Sequence, residues 1–372
     1  MKKSFKFTIA WLIICLLLVG VTNGQQASHN QLKKNIKTLL EKWNSEKEMG
    51  IAVLVGHEGK IIYHSTVGLR NRARNEKIKK KDLFEYASVS KQFTASVILM
   101  LEQNGKLTVD DSVHWYIQSP YKNITIRHLL QHTSGLPDYQ QVMSMFWDKS
   151  KIADNNDILE YLNKYQPPIL FQPGATYEYS NTGYIFLASI AEKASGKDFR
   201  TLLDSGIFVP SKMKTAALRT PAERSTISNF TKGYVWNQPE KRYQSADSMI
   251  QFNYTIWLGN RKGPGRVSGS LLDLWKWDQA LRANKVLTQA SQDKAFTPAK
   301  LNSGKSYMYG FGWDIEKHPK LGRIVSHNGD NPGFKSQFIR YLDAGYTIIV
   351  LTNHAHPHFD RFIQELTQLI GH

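Results

Sequence analysis

Ser88 and Lys91 are the pair of residues whose types and spacing most directly suggest chemistry. A helical apolar pattern follows them and ends near Gly105; it comprises Phe93, Val97, Met100 and Leu101. Residues three apart share a helix face, so the lysine amine can reach the serine hydroxyl and accept its proton. The positive end of the helix dipole favours negative charge beside the serine. The spacing predicts a serine nucleophile in the first turn of a helix, with a plain N-cap serine as the alternative.

Tyr179 and Asn181 form a second candidate group, within a polar segment that spans residues 171–184. A phenol beside two cations can release its proton readily enough to act as a general base. The side-chain amide of Asn181 can hold a lysine or a substrate amide by hydrogen bonds. The alternative interpretation is a polar loop that contains a half-buried tyrosine.

His327 and Gly329 form a third group, on a segment with the composition of a strand. A glycine at this position lets a substrate backbone approach the strand closely. The backbone N–H of Asp330, next along the chain, would pair with that of Ser88 to form an oxyanion hole.

Hydrophobic periodicity predicts the elements that position these groups. Apolar residues at helical spacing favour an amphipathic helix near 30–46, and the segment 361–370 has a helical pattern as well. Runs rich in β-formers at 51–55 and 61–63 predict a hairpin, and a matching pair of runs occurs near the other end of the chain, at 337–341 and 346–351.

Strands at both chain ends, with helices and loops dominating between them, predict an α+β fold. We expect one sheet built from the strands of the two chain ends, with a helical insertion between them. The sheet lobe would comprise about residues 25–80 and 256–372, and the helical lobe about residues 81–255. The catalytic cleft would lie between the two lobes.

The N-terminus has the pattern of a bacterial export signal. Lysines at positions 2, 3 and 6 precede an apolar run at 9–19, and small and polar residues follow. We expect a signal peptide at 1–24 and a periplasmic or secreted hydrolase domain at 25–372. A retained anchor is the alternative, although the run is shorter than the roughly 20 residues of a spanning helix. Cys15, the single cysteine, lies in the leader, which excludes a thiol nucleophile, a disulfide framework and a cysteine-based zinc site.

The chain is strongly basic, with a formal net charge of +17, which favours anionic partners. The densest basic cluster, at 70–81, lacks interleaved aromatic residues and any nucleic-acid-binding module, so we expect no nucleic-acid partner. A solvated loop face, an anionic cell-wall polymer and a membrane surface remain the alternatives. The histidine-rich segment 354–358 is interrupted by Pro357, and we expect neither a metal nor a cofactor. His132 is interpreted as part of a structural turn rather than as a catalytic base.

Taken together, the three groups resemble the motifs of the serine β-lactamase and penicillin-binding protein superfamily. Its S-x-x-K, Y-x-N and third strand motif occur here in the same order, and further similar segments surround them at 84–87, 105–111, 126–136, 309–313 and 349–353. The tyrosine motif is similar to that of the class C-like branch, which also contains esterases, D-alanyl-D-alanine carboxypeptidases and D-aminopeptidases. The resemblance implies an α+β fold with an antiparallel β-sheet flanked by helices and an all-helical lobe. It also implies that Ser88 is acylated, that Lys91 and Tyr179 transfer protons, and that Asn181 and His327 support them.

The third motif departs from the lysine-threonine-glycine typical of these β-lactamases, because this chain has histidine, asparagine and glycine at 327–329. A lysine supplies a permanent cation for a substrate carboxylate, whereas a histidine does so only when protonated. We therefore expect an esterase or a D-amino-acid peptidase or carboxypeptidase that acts on a small-molecule or peptide acyl substrate, with peptidoglycan fragments among the candidates. A class C-like β-lactamase and a penicillin-binding sensor without turnover are the alternatives.

Overall fold

The structure is a computed structural model that describes residues 26, 28–45, 48, 50–355 and 358–371. The chain divides into two compact units, one of Met1–Ser45 with Asp360–His372 and the other of Glu46–Phe359. The predicted signal peptide lies outside the described residues. Within the described ranges, no helix has both the length and the apolar character needed to cross a bilayer.

Helices and strands alternate irregularly along the chain. The helices are α1 (28–43), α2 (Ser90–Gln103), α3 (Ile126–Leu130), α4 (Tyr139–Phe146), α5 (Asn155–Tyr165), α6 (Asn181–Ser195), α7 (Phe199–Leu203), α8 (Pro221–Thr226), α9 (Tyr254–Trp257), α10 (Leu271–Arg282), α11 (Gln289–Ala295) and α12 (Phe359–Gly371). The strands are β1 (Ile51–His57), β2 (Lys60–Val67), β3 (Leu69–Asn71), β4 (Glu76–Lys77), β5 (Phe84–Glu85), β6 (Ala217–Leu218), β7 (Tyr234–Asn237), β8 (Arg242–Ser245), β9 (Val267–Gly269), β10 (Ala299–Lys300), β11 (Ser306–Tyr307), β12 (Asp314–His318), β13 (Gly322–Asn331), β14 (Phe334–Tyr341) and β15 (Tyr346–Thr352).

The smaller unit pairs the two predicted terminal helices, α1 and α12. The rings of Trp43 and Phe362 meet edge to face, with their centroids 6.3 Å apart. Glu365 on α12 accepts hydrogen bonds from Lys42 Nζ and Trp43 Nε1, each at 3.1 Å. An aromatic contact and a shared carboxylate therefore hold the two helices together.

A six-stranded antiparallel sheet, in the order β12-β13-β14-β15-β1-β2, belongs to the larger unit. β1 and β15 pair along their full lengths, so strands from both parts of the chain meet inside one sheet. Both strands are buried almost throughout, which agrees with their content of apolar, largely β-branched residues. The predicted α+β class with an antiparallel sheet is confirmed, while the boundaries of separate sheet and helical lobes stay a prediction.

α2 carries Lys91 and is enclosed by segments distant in sequence. The Thr94 hydroxyl on this helix donates to the Gly263 carbonyl at 2.7 Å. On another side lies Gly312, whose φ is +78° and at which an added Cβ would stand 2.8 Å from the Lys91 carbonyl oxygen. A glycine is needed there because both the backbone conformation and the close approach exclude a side chain.

β13 packs against the 3-10 turn Ala87–Val89, which precedes α2. A Cβ added to Gly329 would lie 2.5 Å from the Tyr86 carbonyl oxygen and 2.2 Å from the Ser336 hydroxyl. That hydroxyl donates to the same Tyr86 oxygen at 2.8 Å. Gly329 therefore lets β13 approach the turn that contains Ser88, whereas the sequence had suggested an approach by the substrate backbone.

Gly329→Ala should destabilise the fold, because the added methyl group overlaps backbone that cannot withdraw without moving the turn. We expect a loss of about 1–3 kcal/mol in the free energy of unfolding, measured by denaturant titration. Gly265→Ala is the matched control, because its Cβ would meet only the Ala87 carbonyl oxygen, at 3.9 Å. Equal stability of the two variants would contradict the packing argument.

Candidate active site

Ser88 lies in the 3-10 turn immediately ahead of α2, not inside α2 as predicted. The cause is Ala87, whose φ of 47° is in the left-handed region that residues with a Cβ rarely adopt. This conformation bends the chain between β5 and α2. Ser88 is half-buried, whereas Ala87 and Val89 on either side are buried, so the bend leaves Ser88 the accessible residue of the turn.

Lys91 is completely buried, and its amine contacts three oxygen atoms. Nζ lies 3.1 Å from Ser88 Oγ, 2.8 Å from Asn181 Oδ1 and 3.0 Å from the Pro264 carbonyl oxygen. None of these partners is a carboxylate. Burial, assisted by the positive charge of Arg261, holds the pKa of Lys91 well below its usual value.

Tyr179 stands over the same amine, with Lys91 Nζ 4.7 Å from the centre of its ring. The Tyr179 hydroxyl lies close to the Ser88 side chain. Loss of water around the phenol raises the pKa of Tyr179 above its usual value, and the nearby Ser88 side chain offsets only part of this effect. This direction is opposite to the expected loosening of the proton by neighbouring cations, and the general-base role of Tyr179 stays a prediction.

His132 holds the segment that carries Tyr179 and Asn181. Its backbone carbonyl accepts from the N–H of Glu178 at 2.9 Å, and its Nδ1 accepts from the N–H of Ser180 at 3.0 Å. Its ring centroid lies 4.3 Å from that of Tyr179. Burial keeps the pKa of His132 well below its usual value. These contacts agree with the predicted structural role of His132.

α6 begins directly after this segment and fixes Asn181. The Ser180 hydroxyl accepts from the N–H of Gly183 at 3.2 Å and caps the helix N-terminus. Asn181 is consequently the first residue of α6, and its amide oxygen meets the amine on α2. The second predicted group thus joins the first through contact between two buried helices.

His327 is almost fully buried, and both of its ring nitrogens are engaged. Nδ1 lies 2.6 Å from the Asn328 carbonyl oxygen and therefore carries the proton, so Nε2 accepts from the Tyr309 hydroxyl at 2.9 Å. Burial lowers the pKa of His327 to about 3. At neutral pH this side chain is uncharged and cannot supply a cation to a substrate carboxylate.

Beyond His327, β13 has an open edge. The N–H of Leu342 donates to the Arg323 carbonyl at 2.9 Å, so odd-numbered residues of β13 pair with β14 and even-numbered residues face the opposite edge. β12 covers that edge only as far as Ser326. The backbone N–H of Asp330 therefore faces an edge that no described strand covers. The preceding residue contacts the turn Ala87–Val89, which brings the two predicted N–H donors onto adjoining elements.

Sequence reasoning did not identify Pro264, Arg261 or Tyr309 as parts of this site. Pro264 acts through its backbone carbonyl, which carries no residue-type signal, although the glycines on both sides of it indicate a tight loop. Arg261 lies in the same loop, and its positive charge helps to lower the pKa of Lys91. Tyr309 lies in one of the segments that resemble the superfamily, and this was the only available signal for it.

Metal binding has no support among the residues that the structure describes, which include no group of three or more His, Cys, Asp or Glu side chains arranged to hold an ion. The histidine-rich segment 354–358 is described only in part, because residues 356 and 357 lie outside the described ranges.

Comparison with known proteins places this geometry in a family. The model of the Beta-lactamase family matches residues 32–370. Penicillin-binding protein 4* of Bacillus subtilis (strain 168) is 39% identical over 323 residues, which cover 86% of this chain and 72% of that protein. A D-aminopeptidase of Gluconobacter oxydans (strain 621H) is 26% identical over 82% of this chain and 56% of its own length.

A solved structure shows the same fold. D-amino acid amidase from Ochrobactrum anthropi SV3, in complex with D-phenylalanine, superimposes with a TM-score of 0.73 at 21% identity and covers 92% of this chain and 99% of that one. On the family match and these similarities, the chain belongs to the β-lactamase family and is a serine hydrolase.

Proposed function

We propose that this serine hydrolase acts by acyl transfer through Ser88, with Lys91 as the proton acceptor. The observation that carries the proposal is the set of contacts around Lys91 Nζ. An uncharged amine has two N–H groups, and the oxygens of Asn181 and Pro264 accept both of them. The nitrogen lone pair is then left for the Ser88 hydroxyl, 3.1 Å away. Burial without a carboxylate partner supports the uncharged form.

Tyr179 is assigned to the second proton transfer, in which the leaving group receives a proton. The pKa of its phenol is raised while the pKa of Lys91 is lowered, so the lysine is the stronger candidate for the first proton. Tyr179, which lies close to Ser88, keeps its proton until the leaving group departs and then passes it to that group. The proton from Ser88 replaces it by way of Lys91, and water then hydrolyses the acyl-enzyme.

The oxyanion of the tetrahedral intermediate would lie between the backbone N–H groups of Ser88 and Asp330. Two observations support this assignment: Asp330 faces the open edge of β13, and the neighbouring Gly329 contacts the turn that contains Ser88. Donors on a fixed strand and a fixed turn need no rearrangement when charge develops on the oxygen.

For the substrate, we propose an ester or a D-amino-acid amide or peptide. An uncharged His327 leaves the third motif without the cation that would bind a carboxylate, which disfavours efficient β-lactam hydrolysis. The similarity to a D-aminopeptidase and to a D-amino acid amidase supports the same substrate class. The basic N-terminal pattern supports export to the periplasm or the exterior, where peptidoglycan fragments are candidate substrates.

A penicillin-binding sensor that acylates without turnover is the second candidate. It is favoured by the 39% identity to a protein named as penicillin-binding. The two candidates differ in the fate of the acyl-enzyme, which is hydrolysed in one and persists in the other.

Incubation with a p-nitrophenyl ester, a D-amino-acid p-nitroanilide and nitrocefin should separate the candidates. We expect continuous release of product from the ester or the anilide, slow release from nitrocefin, and an acyl adduct on Ser88 by intact mass. Ser88→Ala should form no adduct, whereas the control Ser96→Ala, which removes a hydroxyl bonded to the Gln92 carbonyl on α2, should form it normally. A single stoichiometric burst with every substrate would favour the sensor, and an adduct in Ser88→Ala would refute the assignment.

The pH dependence of kcat/KM should have an acidic limb that belongs to Lys91. Activity should fall as the pH drops through the pKa of Lys91, because a protonated amine cannot accept the Ser88 proton. His327→Gln should leave this limb in place, because an imidazole with a pKa of about 3 is already uncharged across the range. Lys91→Met should lose about 10²- to 10⁴-fold in rate. Disappearance of the limb in His327→Gln would show that histidine, not lysine, controls the reaction.

A further inference from the structure

A large cavity lies apart from the proposed catalytic residues: Ser88, Lys91 and Tyr179 do not line it. Its volume is about 1300 Å³, which exceeds the roughly 300–1,000 Å³ typical of pockets for single small molecules. Its walls come from the β3–β4 hairpin, the segment 220–234 and the β7–β8 hairpin. The volume favours an extended ligand.

The lining of this cavity is predominantly cationic. The lining contains five cationic side chains and two carboxylates. The cations are Arg72, Arg74, Arg224, Lys232 and Arg242, and the carboxylates are Glu76 and Asp247. Two of the five have carboxylates of their own outside the lining: Arg224 pairs with Glu85, and Arg242 pairs with Glu240. Glu76 in turn is occupied by Arg70, at 3.2 Å.

Arg72, Arg74 and Lys232 are left without a carboxylate at ion-pair distance among the described residues. All three side chains are exposed to solvent. The single lining carboxylate outside these pairs is Asp247. The cavity therefore carries an excess of uncompensated positive charge, which a bound anion would neutralise.

The backbone that carries these cations is fixed. The Arg72 N–H donates to the Tyr234 hydroxyl at 2.7 Å. The Lys232 N–H donates to the Arg70 carbonyl at 2.9 Å. The two cationic segments are thus bonded to each other and to β7, which fixes the backbone positions from which their side chains extend.

The cavity adjoins the far end of the open edge of β13. Phe334, which lines the cavity, opens β14 directly after the turn that ends β13. Asn331, the last residue of β13, donates to Glu85 at 2.5 Å, and Glu85 pairs with Arg224 of the lining. A ligand in this cavity would therefore lie next to the proposed catalytic cleft without occupying it.

We propose that this cavity binds a segment of a linear phosphate-bearing polymer without nucleobases through Arg72, Arg74 and Lys232. Guanidinium groups bind phosphate oxygens with paired hydrogen bonds, and lysine adds a compact positive charge. A chain of repeating phosphates also suits a cavity too large for a single small anion. The binding is independent of acyl transfer at Ser88, so it can be tested whether or not the proposed reaction occurs.

The test is isothermal titration of the whole protein with long-chain inorganic polyphosphate at 150 mM salt. Arg72→Gln/Arg74→Gln/Lys232→Gln should weaken binding by at least about tenfold and should reduce the slope of log K against log salt by about two to three, because three phosphate contacts are lost. The control Lys122→Gln/Lys193→Gln/Lys197→Gln removes the same charge from exposed sites outside the cavity and should bind like the wild type.

Equal weakening in both triple variants would overturn the proposal, because it would show that net charge alone attracts the polymer. Polyglutamate of equal charge that binds as tightly would refute phosphate recognition, and tighter binding of a single-stranded oligonucleotide would indicate a nucleic-acid site instead. Melting temperatures of both variants check folding. If the triple variant of the cavity has a lower melting temperature than the wild type, the single variants Arg74→Gln and Lys197→Gln repeat the binding comparison at one exposed position each.

Discussion

Burial of the Lys91 amine without a carboxylate partner is the constraint on which the rest of this site depends. A charged amine in that position would lose its hydration and gain no opposite charge, so the protein environment favours the uncharged form. The two oxygens that accept its N–H groups come from α6 and from the loop at 261–266. Any shift between these elements and α2 would change both the orientation and the basicity of the amine.

The second constraint is the close approach of β13 to the turn that contains Ser88. It requires a glycine at position 329 and is reinforced by the bond from Ser336 to the Tyr86 carbonyl. The uncommon backbone conformation of Ala87 persists because this packing holds it. Nucleophile, amine and open strand edge are therefore parts of one packed arrangement.

Charge is distributed unevenly between the proposed reaction site and its surroundings. Around Ser88 the ionisable side chains are held in their uncharged forms: the pKa of Lys91 and that of His327 are lowered, and that of Tyr179 is raised. The adjacent cavity instead carries the guanidinium groups of Arg72 and Arg74, which have no carboxylate at ion-pair distance among the residues that the structure describes. A polar but uncharged reaction site suits proton transfer between neutral groups, and a charged neighbour suits the binding of an anion.

Local sequence patterns were enough to predict most of the main secondary-structure elements and the proposed catalytic residues of this protein. Apolar and β-forming patterns predicted α2, the terminal helices and the strands of the main sheet other than β12, because burial of one face imposes a repeat on the residues that form it. The order and spacing of the three motifs indicated the family and the residues Ser88, Lys91, Tyr179 and Asn181, which the structure brings together.

Tertiary structure alone decided the protonation of these groups. The partners of Lys91 lie 90 and 173 residues away in the chain, and one of them is a backbone carbonyl that any residue type could supply. The same holds for His327, which the sequence presents as a candidate substrate contact and which the fold buries against Tyr309. The type of a residue determines which proton it can exchange. Whether it holds that proton at a given pH depends on its pKa, which segments distant in sequence shift by excluding water from around the side chain.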